Sequence, residues 1–243
     1  MEFTPLSFSA GGWGPDMVRA LGVTILLSMS GMALGCLIGI LGSACQLSGR
    51  WVPDRLSRGY VALMRGVPDL LVIYLFYFGS SQVLTALGQL MGADGFVGVP
   101  LFLIGAAALG VVSGAYLTEV FRGAVQAVPR GEVEAAVAYG MTAAARLRRV
   151  TLPLAVRHAL PGLGNVWQLV LKESALISVI GLVELMRQAQ IGAGSTRKAF
   201  SFFLAAGALY LLVAWASGRG FRIAERRALR GMARGGLGGE QAT

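Results

Sequence analysis

Lysine is almost absent from this chain: of 243 residues only Lys172 and Lys198 carry an ammonium side chain. Neither follows a glycine, so the pattern GxxxxGK[ST] occurs nowhere and P-loop nucleotide hydrolysis is excluded. Histidine occurs once, at His158, which rules out a His-based metal cluster and a Ser-His-Asp triad. No catalytic residue, metal site or enzyme activity is therefore expected. The two cysteines, Cys36 and Cys45, lie in one apolar run away from metal-ligand spacing and read as packing residues. Charge is scarce too, at 14% of residues against 55% hydrophobic, with a mean hydropathy of +0.67. A soluble globular domain does not look like this; a polytopic membrane protein does.

What is present is a series of apolar runs. Residues 1–17 are turn-rich and form an N-terminal segment, with no basic region that would mark a cleaved signal. The first span runs from about Val18 to Gln46, longer than the ~20 residues that cross a bilayer, so tilt or an emergent end is expected. Gly31, Gly35 and Gly39 repeat every four residues along it, a face that lets a neighbouring helix approach. Further runs extend over Tyr60–Leu87, Pro100–Ala127, Leu160–Val183 and Phe200–Trp215, the last reaching toward Phe221. Residues 184–198 are polar again, and the glycine-rich end forms a tail over 224–243. The fold expected is all-α, with five transmembrane helices in one domain over 18–223 and a helical cytoplasmic loop near 128–158.

The net charge of +9 invites a nucleic-acid reading, but the arginines sit in the gaps between apolar runs, where topology explains them. Sixteen of the 21 basic residues fall in the segments around 50–65, 122–157 and 219–234. Four fall on the opposite side, and Lys172 lies within a span. The positive-inside rule then puts the 128–158 loop and the C-terminus in the cytoplasm and the N-terminus outside.

The longest polar interruption is Glu134 to Pro153, EAAVAYGMTAAARLRRVTLP. Strong helix formers flank Gly140, and Leu152-Pro153 is expected to close the segment, giving two short helices joined at a glycine. This stretch resembles the EAA loop of permease subunits in bacterial ABC importers: EAA, three residues, Gly, nine residues, an aliphatic residue, one residue, then Leu-Pro. Val150 stands where isoleucine is commoner. The resemblance implies that Glu134, Ala135, Ala136, Gly140, Leu152 and Pro153 dock on a cytoplasmic ATPase, the small side chains letting it approach closely.

The fourth run carries the polar residues that bear on transport. Asn165, Gln168 and Lys172 recur at i, i+3 and i+7 on one helical face, followed by Glu173 and Ser174. Each charge costs about 2.5–3.5 kcal/mol at mid-bilayer, so Lys172 and Glu173 need partners or a water-filled cavity. Glu173, Lys172, Ser174, Gln168 and, more weakly, Glu119 are the candidate pathway residues. Glu119 has Arg122 three residues on as a pairing partner. Arg65 and Asp69, around Pro68, are expected to fix the cytoplasmic end of the second span.

YVALMRGVPDLLVIYLFYFG (60–79), SGAYLTEVFRGAVQAVPRGEVEAA (113–136) and ALPGLGNVWQLVLKESALISVIGL (159–182) are similar to the histidine/octopine/nopaline-type permeases, and the likeness covers nearly the whole chain. It implies an inner-membrane subunit of an importer for polar, cationic amino acids or opines. It further implies a second permease, homologous or identical, two ATPase subunits that bind the ATP, and an extracytoplasmic binding protein; the chain itself needs no cofactor. At the Glu173 position relatives vary among acidic and small polar residues. A proton-coupled secondary transporter using Glu119 or Glu173 is the competing reading, although no internal repeat is evident.

Overall fold

The computed structural model describes residues 12–90 and 99–228, and among these there are helices and turns but no strand. The helices are α1 (Gly14–Leu47), α2 (Trp51–Gly66), α3 (Asp69–Leu90), α4 (Leu101–Gln126), α5 (Arg130–Ala138), α6 (Ala143–Arg146), α7 (Leu152–Glu173), α8 (Leu185–Thr196) and α9 (Ala199–Ala228). A π-helical stretch, Leu147–Thr151, joins α6 to α7, and a 3-10 stretch, Ser174–Ile180, follows α7. The first helix starts at Gly14, ahead of the expected Val18, because Pro15 suits its first turn and Asp16 sits favourably at its positive end. The expected N-terminal segment and tail lie largely outside the described residues.

Three described helices are long and apolar enough to cross a membrane: α1, α4 and α9, with mean hydropathies of 2.1, 1.9 and 2.0. The expected second span is not one straight run from Tyr60. It breaks at Val67-Pro68, where α2 and α3 meet at 106° and count as a fourth crossing only as a bent pair. Val67 is extended (φ −100°, ψ 139°), the conformation that a following proline imposes. The fourth expected span falls on α7, which carries Arg157, His158, Lys172 and Glu173 and lacks the hydropathy of α1, α4 and α9.

Small residues set how these helices meet. A Cβ built on Gly31 would lie 2.8 Å from Leu109 Cβ, one on Gly35 2.2 Å from Ser113 Oγ, and one on Gly39 2.6 Å from Leu117 Cβ. Both partners advance by four residues together, so α1 and α4 run parallel with their backbones in close approach. The fit is reciprocal, since a Cβ on Gly110 or Gly114 would strike Leu34 or Ile38. Gly162 faces Val120 while Gly105 faces Ile177, so α7 runs antiparallel to α4. Gly164 against Phe221 and Gly218 against Gln168 make α9 antiparallel to α7 in turn. The main core, with Leu27, Ile73, Ile104, Leu109, Leu117, Val170 and Ile177, lies around α4. Cys36 packs on its edge, and both cysteines are free.

A second cluster joins α1, α8 and α9 through Met17, Leu185, Ala189 and the fully buried Phe202, with Trp13 edge-on to Phe202 at 5.8 Å. The polar segment 184–198 is thus a helix, capped by a carboxylate. Glu184 is fully buried and accepts the N–H groups of Met186 (3.0 Å) and Arg187 (2.9 Å) and the Tyr210 hydroxyl (2.8 Å). Thr24 Oγ1 lies 3.2 Å from the same carboxylate and accepts the Leu185 N–H. One side chain therefore ties three helices.

Two stability measurements in detergent follow. Gly39→Ala should destabilise the fold by about 1–3 kcal/mol through overpacking, while Gly22→Ala, which meets nothing within 4 Å, should not. Glu184→Ala should cost about 2–4 kcal/mol by stranding buried donors, with Glu184→Gln costing less; equal melting temperatures for Glu184→Ala and the unmodified chain would contradict this account of the node.

Candidate functional site

The polar stretch after α4 is built by local rules. Pro129 caps α5, whose far end closes in a Schellman turn: Met141 N–H reaches Ala136 O at 3.1 Å and Gly140 N–H reaches Val137 O at 2.9 Å. Gly140 takes φ +72°, a conformation that costs other residues free energy. The Thr142 side chain then caps α6 by accepting the Ala145 N–H. So two helices do meet at a glycine, as expected. The second does not end at Leu152-Pro153. The backbone stays helical through Arg146, Leu147, Thr151 and Leu152, and the proline lies in the first turn of α7. Proline lacks an N–H and crowds the carbonyl four residues back; a π turn, with Leu152 N–H bonded to Leu147 O, accommodates it. A single helical rod thus runs from Ala143 in the loop to Glu173.

The loop residues divide by exposure. Glu134, Ala135, Gly140, Leu152 and Pro153 face outward, whereas Ala136 is only 4% exposed and spends its small size on packing α5. Tyr139, 86% exposed beside Gly140, was not singled out from the sequence.

At the other end of the rod, the candidate pathway residues separate. Lys172 points out of the fold and is exposed. Ser174 is fully buried and donates to Leu171 O at 2.8 Å. Gln168 donates to Ala214 O at 2.9 Å, pinning α7 to α9, and with Asn165 it lines a groove of about 340 Å³ between those helices. Glu119 is satisfied by Arg122, which also donates to Gln126 Oε1 at 3.0 Å. Glu173 alone is an incomplete group: it is 7% exposed, and its Oε2 has no hydrogen-bond partner. Asp69 of α3 is close enough for its carboxyl to interact with it, and both act on the Tyr116 hydroxyl of α4. Arg65 and Asp69 flank the bend at Val67-Pro68, and the Arg65 guanidinium stacks 5.5 Å from the centre of the Tyr116 ring of α4.

The family described as binding-protein-dependent transport system inner membrane component matches residues 31–230. The chain is 58% identical to an octopine transport system permease protein of Agrobacterium tumefaciens, covering 97% of this chain and 100% of that one. It is 45% identical to a nopaline transport system permease protein of Agrobacterium fabrum (96% and 99% covered). With a histidine/lysine/arginine/ornithine transport system permease protein of Escherichia coli it shares 38% identity (93% and 99% covered). Among solved structures, an amino acid ABC transporter crystallised with histidines aligns at TM-score 0.76 and 32% identity, over 88% of this chain and 95% of that one.

The exposure pattern of the loop is directly measurable. In detergent-solubilised protein without Cys36 and Cys45, a cysteine at Ala135 should react readily with a maleimide, and one at Ala136 far more slowly. Equal rates would mean that α5 does not pack as described.

Proposed function

The chain belongs to the inner-membrane components of binding-protein-dependent transport systems, the permease subunits of ABC importers, and from that premise we propose that it carries a polar amino acid or opine with a cationic end group inward across the inner membrane. It is a multi-pass membrane transporter subunit, not an enzyme. The observation that carries the choice of cargo is the buried carboxylate of Glu173, whose free oxygen lies on the rod that begins in the exposed loop. A buried acid with an open acceptor awaits a cation. Octopine, nopaline, histidine, lysine, arginine and ornithine, the cargoes in the relatives' names, all bear basic or cationic groups.

The arrangement is that of an alternating-access machine with separate parts. ATP is bound and split by ATPase subunits, since the chain has no phosphate-binding loop. An extracytoplasmic protein delivers the cargo. A second permease, identical or homologous, completes the passage. The N-terminus lies outside and the C-terminus in the cytoplasm, with five crossings. This topology is supported by the arginine distribution and by the alternating directions of α4, α7 and α9. Glu134, Ala135, Gly140, Leu152 and Pro153 meet the ATPase, with Tyr139 as an added anchor, and Ala136 holds the loop in shape. When the ATPases close, the loops are drawn together and the rods tilt, reorienting Glu173. Ser174, fully buried next to Glu173, shapes the wall of the site, while Lys172, Gln168 and Glu119 lie on other faces of the bundle.

Uptake into proteoliposomes holding the full complex tests this. Import should require ATP and the ATPase subunit, should fall to background with Glu173→Ala, and should drop sharply with Glu134→Lys although the permease still inserts. Uptake driven by a proton gradient with the ATPase absent would overturn the reading in favour of a secondary transporter.

A further inference from the structure

The helix α8 is 12 residues long, about 18 Å at 1.5 Å per residue and too short to cross a bilayer core of about 30 Å. Its two faces have opposite surroundings. Leu185, Gln188, Ala189, Gly192 and Ala193 are buried, and a Cβ on Gly192 would stand 2.2 Å from the Phe202 ring. Met17 and Ala206 complete this contact, which seals the inner face against the first turns of α1 and α9. On the other face Arg187, Gln190, Ile191, Gly194 and Ser195 follow one another at helical spacing and line a groove of about 360 Å³. A Cβ on Gly194 would meet no described atom within 4 Å.

The charge on this outward side is of one sign. Glu184, the acid that caps α8, is fully buried and turned inward to Thr24 and Tyr210. On the neighbouring start of α1, Asp16 is held 3.6 Å from Arg19. Among the described residues no carboxylate lies within ion-pair distance of Arg187 or Arg197, and Arg187 donates to the neutral Gln190 Oε1 at 3.2 Å. Arg197 ends α8 at φ +57° and is the only non-glycine residue at positive φ among those described. Glycine or asparagine fills such a helix end with least strain. An exposed arginine kept there against its backbone preference points to a use for its side chain.

Lipid does not suit this face. A helix lying on a membrane keeps an apolar side for the acyl chains, whereas α8 has buried its own against α1 and α9 and leaves Ile191 as the one large apolar residue in the groove. A second copy of the chain does not suit it either, because it would bring the same arginines and like charges repel. An acidic protein surface does suit it. The matched family is described as binding-protein-dependent, and α8 follows Glu173 by no more than the 3-10 stretch and the turn at Gly181. We propose that the outward face of α8 is the docking surface for the extracytoplasmic binding protein, with Arg187 and Arg197 meeting carboxylates on that protein and Gly194 letting its backbone come close. The inference rests on the orientation proposed above, which puts this end of the bundle outside, and it names the surface that meets the partner of that reading.

The test is the association rate, followed by stopped-flow fluorescence, between the assembled permease–ATPase complex in nanodiscs and the binding protein of the same transport system, purified with its cargo. Arg187→Glu combined with Arg197→Glu should slow association about tenfold or more at low salt. Added salt should slow the unmodified pair and leave the variant little changed. Arg187→Lys with Arg197→Lys should keep most of the rate. Arg197→Gly separates docking from folding: it should not lower the melting temperature, yet association should slow. The proposal is overturned if the glutamate variant or Arg197→Gly associates as fast as the unmodified complex. It is overturned in favour of anionic lipid if the effect vanishes in nanodiscs without phosphatidylglycerol, and in favour of a permease–permease contact if the glutamate variant separates the two permeases. The orientation fails separately. In spheroplasts, with Cys36 and Cys45 replaced, Ser195→Cys should react with an impermeant maleimide; no reaction would mean that this end is not outside, whereas reaction together with unaltered association in the arginine variants would overturn the docking surface alone.

Discussion

The structure depends first on the absence of side chains between α1 and α4. Where Gly31, Gly35 and Gly39 meet Leu109, Ser113 and Leu117 there is no room for a methyl group, and Gly110 and Gly114 repeat the condition from the other side. In lipid there is little hydrophobic drive to hold two apolar helices together, so close backbone packing has to supply the attraction. The contact makes α1 and α4 one rigid slab. The bend of α2 into α3 rests on it through Ser57, whose hydroxyl bonds Gly42 O at 2.9 Å, and through Tyr60, whose hydroxyl reaches Val111 O on α4. On the far side, α7 packs against α4 and α9 against α7.

Against this slab, the rod from Ala143 to Glu173 is the part placed to move as a unit. It begins in the loop, absorbs Pro153 with a π turn instead of breaking, and ends at the buried acid. The helical backbone thus continues from the loop to Glu173, through the π turn at Leu147–Thr151 and past Pro161 inside α7. The glycine contacts Gly162–Val120 and Gly164–Phe221 bring the rod close against α4 and α9, and Gln168 pins it to α9. The Glu184 node locks α8 and α9 to the first helix, and its Tyr210 hydroxyl is also a neighbour of Ser174, next to Glu173 at the end of the rod.

Much of this was legible in the sequence wherever the governing rule was local. Apolar run length marked the crossings, the four-residue glycine spacing marked the α1 face, and Gly140 within its helix-forming flanks marked the turn. The loop's spacing identified its family, and Glu119 met Arg122 as an i,i+3 pair should. The misreadings came where a local signal had two outcomes. Pro153 can stop a helix or sit in a first turn, and it does the latter because a π stretch precedes it. Pro68 with Gly66 announced a break, but the apolar run across it was long enough to pass for one span. Glu184 was hidden for another reason: its partners Thr24 and Tyr210 lie far away in sequence, and glutamate is not a favoured capping residue. Likewise, nothing in the local pattern could show that Ala136 packs inward while Ala135 beside it is exposed.

The central claim is that loop and buried acid travel together, and pulsed electron resonance measures this most directly. Spin labels at the exposed Ala144 and Asn165 bracket the rod, separated by about 32 Å at 1.5 Å per residue. Labels at Ala144 and at the matching position of the partner permease report loop approach. In the assembled transporter, trapping ATP should shorten the distance between the loops while leaving the distance along the rod unchanged. If the distance along the rod shortens while the loops approach, the helix bends at Leu147–Thr151 or at Pro161, and the account of a rigid link to Glu173 is wrong.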